Sequence, residues 1–257
     1  MTVRTETPPS LSTAAVAVWT LTALVVALEI PYPLTHGAVR NGLTVATVLV
    51  FAAASLAHAA TYGGSRRVLA LLGVVGVGGF LAEVVGVHTG FPFGRYHYTG
   101  GLGPELLGVP VIIGLAWVMM AHPAVLVAAR ISRGRAMVVV AAVALATWDV
   151  FLDPQMVAAR HWTWTHPHPH LPGVADVPLS NYVGWLLVAL VLMAALVAAA
   201  PVERVRDDRA PVTLWLWTWL SSTLANVAFF HRPAVAAWGF VAMALVGVPL
   251  LRSLVRR

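Results

Sequence analysis

Two aspartates in the stretch WDVFLDPQM are the residues best placed to do chemistry. Asp149 and Asp153 lie four apart, so on a helix they share a face. Their surroundings are apolar and membrane-like. An ionised acid there costs roughly 2.5–3.5 kcal/mol at a helix centre, so such residues face a cavity and mark a working site by default. The bland alternative is that both sit in the wet interface and satisfy nearby backbone groups. Asp149 resists that reading, because Trp148, Val150 and Phe151 flank it. Apolar neighbours favour a carboxyl that keeps its proton, and a second carboxylate close by favours it further. The chemistry on offer is proton delivery by a neutral acid. An Asp-x-x-x-Asp pair also suits Mg2+ on a diphosphate, as in an intramembrane prenyltransferase; no second acidic motif at the same face supports that.

Other polar residues gather with this pair. Glu83 lies in GFLAEVVGVHTG, Asn181 opens the apolar run after PLS, and Glu29 closes the first apolar run. The stretch GFPFGRYHYTGGLGPELLGVP (residues 90–110) interrupts two greasy segments with Pro and Gly breaks. It reads as the lid and wall of a polar mouth, lined by Arg95, Tyr96, His97 and Tyr98; the bland reading is a structural re-entrant loop. Trp117 and Trp148 add aromatic faces.

The elements that must hold these groups follow from hydropathy. The chain has 257 residues, 59% hydrophobic and 10% charged, where a soluble domain carries about a quarter charged residues. This predicts an all-α polytopic transmembrane bundle, a single integral-membrane domain over residues 1–257 in the cell membrane, with about eight spans. The runs are Leu11–Ile30, Leu43–Ala60, Val68–Val87, Leu107–Ala129, Ala136–Leu152, Val183–Ala200, Leu214–Phe230 and Val235–Leu251. The first reads as a retained span rather than a cleaved signal, and Pro154 is expected to end or kink the fifth.

All 16 basic residues are Arg. With a cytoplasmic N-terminus, twelve of them (Arg4, Arg66, Arg67, Arg130, Arg133, Arg135, Arg204, Arg206, Arg209, Arg252, Arg256 and Arg257) fall inside. Four (Arg40, Arg95, Arg160 and Arg232) fall outside. This bias predicts both termini in the cytoplasm and the acids at the outer face. Reporter fusions after Arg135 and after Arg209 are therefore expected to read cytoplasmic, and fusions within residues 100–104 external. The reverse pattern would move the site to the inner face and revive the diphosphate reading.

Several classes drop out. There is no Cys, which removes disulfides, thiolate metal sites and a cysteine nucleophile. There is no Lys, which removes a retinal Schiff base. The arginines serve topology rather than nucleic acid. Gly73, Gly76, Gly78 and Gly79 lack the strand context of a dinucleotide loop and suit close helix packing. His161, His166, His168 and His170 invite a metal, but Pro167 and Pro169 forbid a helix, and alternate extended positions do not converge. No metal and no redox cofactor is expected. Trp162, Trp164, Trp215, Trp217 and Trp219 suit interface belts, and His58 and His122 an interfacial inner end.

The motifs GFPFGRYHYT, Leu102-Gly103-Pro104, GVP at Gly108–Pro110, LAW at Leu115–Trp117, WDVFLDPQM and PLSNYVGW resemble the membrane-bound acyclic carotenoid hydratases. The resemblance covers roughly Glu83–Trp185 in motif and the whole chain in hydropathy. It implies addition of water across the terminal double bond of an acyclic carotenoid end, without cofactor, within the lipid bilayer. Asp149, Asp153 and Glu83 would be catalytic. Arg95, Tyr96, His97, Tyr98, Trp117, Trp148 and Asn181 would bind substrate, and other carotenoid-pathway membrane enzymes would be candidate partners. A non-enzymatic carotenoid or lipid carrier stays open as an alternative; it would want the apolar groove but not the buried acids.

Overall fold

The computed structural model describes residues 12–202 and 207–255. Arg4, Leu11, Arg204, Arg206, Arg256 and Arg257 of the reading above lie outside them. Ser12 caps the first helix, α1 (Thr13–Glu29), by accepting the Ala15 N–H at 3.2 Å. Then follow α2 (Gly37–Ala70), a π-helical stretch Leu71–Val77 running straight into α3 (Gly78–Thr89), α4 (Ile112–Ile131), α5 (Gly134–Ala146), α6 (Asp149–Ala158), α7 (Leu179–Ala199), α8 (Arg209–Ala228) and α9 (Pro233–Val255). Seven segments are long and apolar enough to cross a bilayer: Thr13–Leu34, Gly37–Thr61, Gly63–Thr89, Ile112–Ile131, Gly134–Ala158, Leu179–Ala199 and Pro233–Val255. The eighth, α8, has the length, but its Thr, Ser and Asn lower its hydropathy; it packs on α4 and α9. The chain is an all-α, multi-pass membrane bundle.

α4 is apolar on every side and nearly wholly buried, with α2, α5 and α8 packed around it. Gly76 and Gly114 let the π-helical stretch approach it: a methyl group on Gly114 would stand 2.9 Å from the Gly76 carbonyl oxygen. The second and third spans meet at a tight turn where Gly64 takes φ +59°, a conformation that favours glycine.

The second and third spans and α8 start at Gly37, Gly63 and Arg209, several residues before the hydropathy runs, and two further differences bear on the site. The fourth helix begins at Ile112, not Leu107, because residues 105–110 form a hairpin: β2 (Glu105–Leu106) pairs with β3 (Val109–Pro110) around Leu107 and Gly108, both at positive φ. The fifth span breaks at Thr147–Trp148, before Pro154 rather than at it. The Thr147 hydroxyl bonds the Val143 carbonyl at 2.7 Å, and Pro154 then sits in the second turn of α6.

Buried tryptophans replace part of the expected belt. Trp215 and Trp219 lie in the core, their indole N–H groups bonding the Ala144 and Phe240 carbonyls at 3.1 Å each. His58 and His122 are likewise buried, as a pair 2.9 Å apart. Helices alternate in direction, so the turn at Gly64, the Arg130–Asp208 ion pair at 2.6 Å and His58 share one end. The other end carries the hairpins. There β1 (Tyr96–Tyr98) pairs antiparallel with β4 (Trp162–Trp164), and β5 (His170–Leu171) with β6 (Val174–Pro178).

Candidate active site

The break at Thr147–Trp148 turns α6 so that Asp149 and Asp153 point into the bundle, both buried. Asn181, in the first turn of α7, bridges them. Its amide Nδ2 donates to Asp149 Oδ2 at 2.7 Å and to Asp153 Oδ2. Asp153 Oδ1 accepts the Trp162 indole N–H at 2.9 Å, while Asp149 Oδ1 is buried without a partner.

Glu83 reaches the same place from α3, two helical turns before its end. Its Oε2 accepts the Tyr96 and Tyr98 hydroxyls, the latter at 3.1 Å. Burial first, and the Glu83 charge second, push both phenols well above the usual tyrosine range, so they remain O–H donors. No ion pair among the described residues involves Glu83, Asp149 or Asp153.

Between the Glu83 and Asp153 groups lies a cavity of about 30 Å3, lined by both acids, Tyr96, Tyr98, Asn181 and Trp185 among others. That is room for one or two water molecules. Its walls are aromatic. Trp117 stacks on Trp185 with ring centroids 4.2 Å apart, and Trp148 meets the edge of Trp185 at 6.2 Å. Gly79 makes the stack possible, since a methyl group there would stand 2.5 Å from the Trp117 ring.

The structure thus brings together Glu83, Asp153, Asn181, Tyr96, Tyr98 and Trp117, with Asp149 joined through Asn181 and Trp148 through Trp185. It leaves out Arg95 and His97, which are exposed. Successive side chains on β1 alternate sides, so Tyr96 and Tyr98 face in while their neighbours face out. Trp162, Trp164 and Trp185 were missed by the sequence reading, which assigned the first two to the membrane interface. The signal was there: YHY and WTW both repeat an aromatic at period two, the mark of paired strands. In the register Tyr98 lies opposite Trp162 and Tyr96 opposite Trp164.

Among the described residues no group of three His, Asp or Glu side chains is arranged to hold a metal ion. His166 and His168 are exposed, and His161 is buried apart from them. Chelator treatment is therefore expected to leave activity intact, and His166, His168 and His170 changed together to Ala to cost little. A loss restored specifically by added metal would overturn an acid-catalysed account.

The family model for carotenoid biosynthesis proteins matches residues 42–253, a stretch that contains Glu83, Asp149, Asp153, Asn181 and the aromatic walls of the cavity. The chain belongs to that family. One curated relative within reach is the bisanhydrobacterioruberin hydratase of Haloarcula japonica, 35% identical over 113 residues, which is 41% of this chain and 36% of the relative. The chain thus matches only about a third of that relative's length. No solved structure matches the chain.

Proposed function

We propose that this carotenoid biosynthesis protein is a hydratase of the cell membrane that adds water to the terminal double bond of an acyclic carotenoid end. The observation carrying this reading is a water-sized, aromatic-walled cavity lined by two carboxyl groups, Glu83 and Asp153, with a third, Asp149, tied to it through Asn181 and no ion pair on any of them among the described residues. The family and the hydratase named among its relatives support the same class.

The step balances without a cofactor. Asp149 delivers its proton to the less substituted carbon of the terminal alkene, leaving a tertiary cation. The faces of Trp148, Trp117 and Trp185 stabilise that charge. A water held in the cavity by Asp153 attacks the cation, and Asp153 takes the water's proton. Transfer within the aspartate pair restores the start, and the net change is one water gained. Asp149 suits the donor because one carboxyl oxygen is free, whereas Asp153 is held by Trp162 and Asn181 and lines the cavity. Glu83, fixed by two phenols, forms the opposite wall.

The diphosphate reading finds less support: no Arg lines this cavity, and its volume suits water rather than a diphosphate. Expression in a host that makes lycopene or a monocyclic carotene, with pigment mass measured, tests the proposal. A gain of one water is the expected result. A gain of a prenyl unit, or unchanged pigment that co-purifies, would replace the hydratase with a transferase or a carrier.

A further inference from the structure

A second, larger cavity adjoins the acid site and has no role in the account above. It measures about 330 Å3 and lies between α1, α2, α6 and α8. That is at the lower end of the range for small-molecule sites. Leu152 lines both cavities, and Trp148 lines the larger one while its ring meets the Trp117–Trp185 pair. The two spaces are therefore separated by one layer of side chains. Three rim residues of the larger cavity, Ile30 at the end of α1, Leu224 on α8 and Phe229 just after it, are exposed. The rim is thus apolar and open to the outside of the bundle.

The lining is mostly apolar but carries two marked polar groups. Glu29 Oε2 accepts the Trp217 indole N–H at 2.6 Å, inside the bundle rather than at the inner belt where the sequence reading put Trp217. Thr47 Oγ1 is buried and has no hydrogen-bond partner. A buried hydroxyl without a partner costs free energy unless something bonds it. Two other threonines of the lining are already spent, Thr44 on the Arg40 carbonyl at 3.0 Å and Thr218 on the Leu214 carbonyl at 2.9 Å; Ser221 and Ser222 complete the hydroxyls of the wall.

We propose that this cavity seats the isoprenoid end of the chain, reached sideways from the bilayer, and that Glu29 and Thr47 hydrogen-bond its hydroxyl once the water has been added. The apolar walls take the branched hydrocarbon; the two polar groups distinguish the tertiary alcohol from the alkene. The identity of the alcohol rests on the hydratase reading, but the binding test does not require turnover.

The test uses the full chain in detergent, a ten-carbon terpene bearing a tertiary alcohol at its end, and the matching alkene. Native mass spectrometry reads the bound fraction of each at equal concentration. Both should bind, the alcohol about threefold to tenfold tighter, the worth of one buried hydrogen bond. Thr47→Val, which keeps the shape and removes one of the two partners, should cut the alcohol's advantage, and Thr47→Val with Glu29→Leu should bring the alcohol down to the alkene. Ala225→Trp, which fills the cavity, should abolish both. Ala15→Trp, which narrows the separate cavity beside His58, should change neither. Equal binding of the two probes, or an alcohol preference untouched by Thr47→Val, would overturn the hydroxyl subsite. Binding that survives Ala225→Trp would overturn the seat altogether. A protein that binds as expected yet adds no water to carotenoids in cells would sink the hydratase proposal and leave this one standing.

Discussion

Asp149→Asn is expected to cut hydration by roughly 10²- to 10⁴-fold, the ordinary worth of a general acid, while carotenoid still co-purifies with the protein. The amide keeps the size of the carboxyl and can still meet Asn181, but it has no proton to give. Asp149 is the member of the pair with an oxygen left free in the buried interior. Asp153→Asn should be milder, since the water would stay in the cavity and lose only its base; Glu29→Gln should be milder again. Pigment mass against protein amount, in cells and in detergent, reads the difference. If Asp149→Asn hydrates normally while Glu83→Gln is dead, the donor lies on α3 and the assignment of roles reverses.

The second large effect belongs to a residue with no proton to offer. Asn181→Leu removes the one side chain among the described residues that donates to both aspartates. Each buried acceptor left without its donor costs about 1–3 kcal/mol. The melting temperature in detergent should therefore fall. Hydration should drop as well, by roughly 10²-fold, because small displacements of catalytic groups are that costly. The two readouts separate position from stability. Asp149→Asn combined with Asn181→Leu should lose little more activity than Asp149→Asn alone, because both act on one unit. An Asn181→Leu protein with native melting and native rate would show that the bridge does nothing for the site.

Much of this site was legible in the sequence, for a physical reason. An acid in an apolar run is expensive, so Asp149, Asp153 and Glu83 announced themselves by their setting, and Asn181 by its place in the motif that follows them. The spans were legible because hydrocarbon thickness fixes their length. What stayed hidden was direction. A strand of three residues gives too little alternation to weigh, so all of Arg95–Tyr98 was read as lining the site when only alternate residues do. Tryptophans in an apolar chain are ambiguous between interface and core; Trp162 was resolved only by its bond to Asp153, and Trp217 only by its bond to Glu29. The helix break at Thr147–Trp148 had no strong breaker to mark it, whereas Pro154 drew attention and sits within α6.

The pairing of β1 with β4 has a bearing on how such sites diversify. Two loops far apart in the chain are zipped so that phenols meet the buried acid and guanidinium and imidazole meet the outside. Because side chains alternate, a slip of one residue in that ladder would trade the faces. Arg95 and His97 would then confront Glu83, and a carboxyl held by two phenols would become an ion-paired one. The same short string of letters encodes two opposite electrostatic pockets, and the register alone chooses between them. An insertion or deletion of one residue in these loops would thus change the charge of the pocket more than most single substitutions inside the membrane.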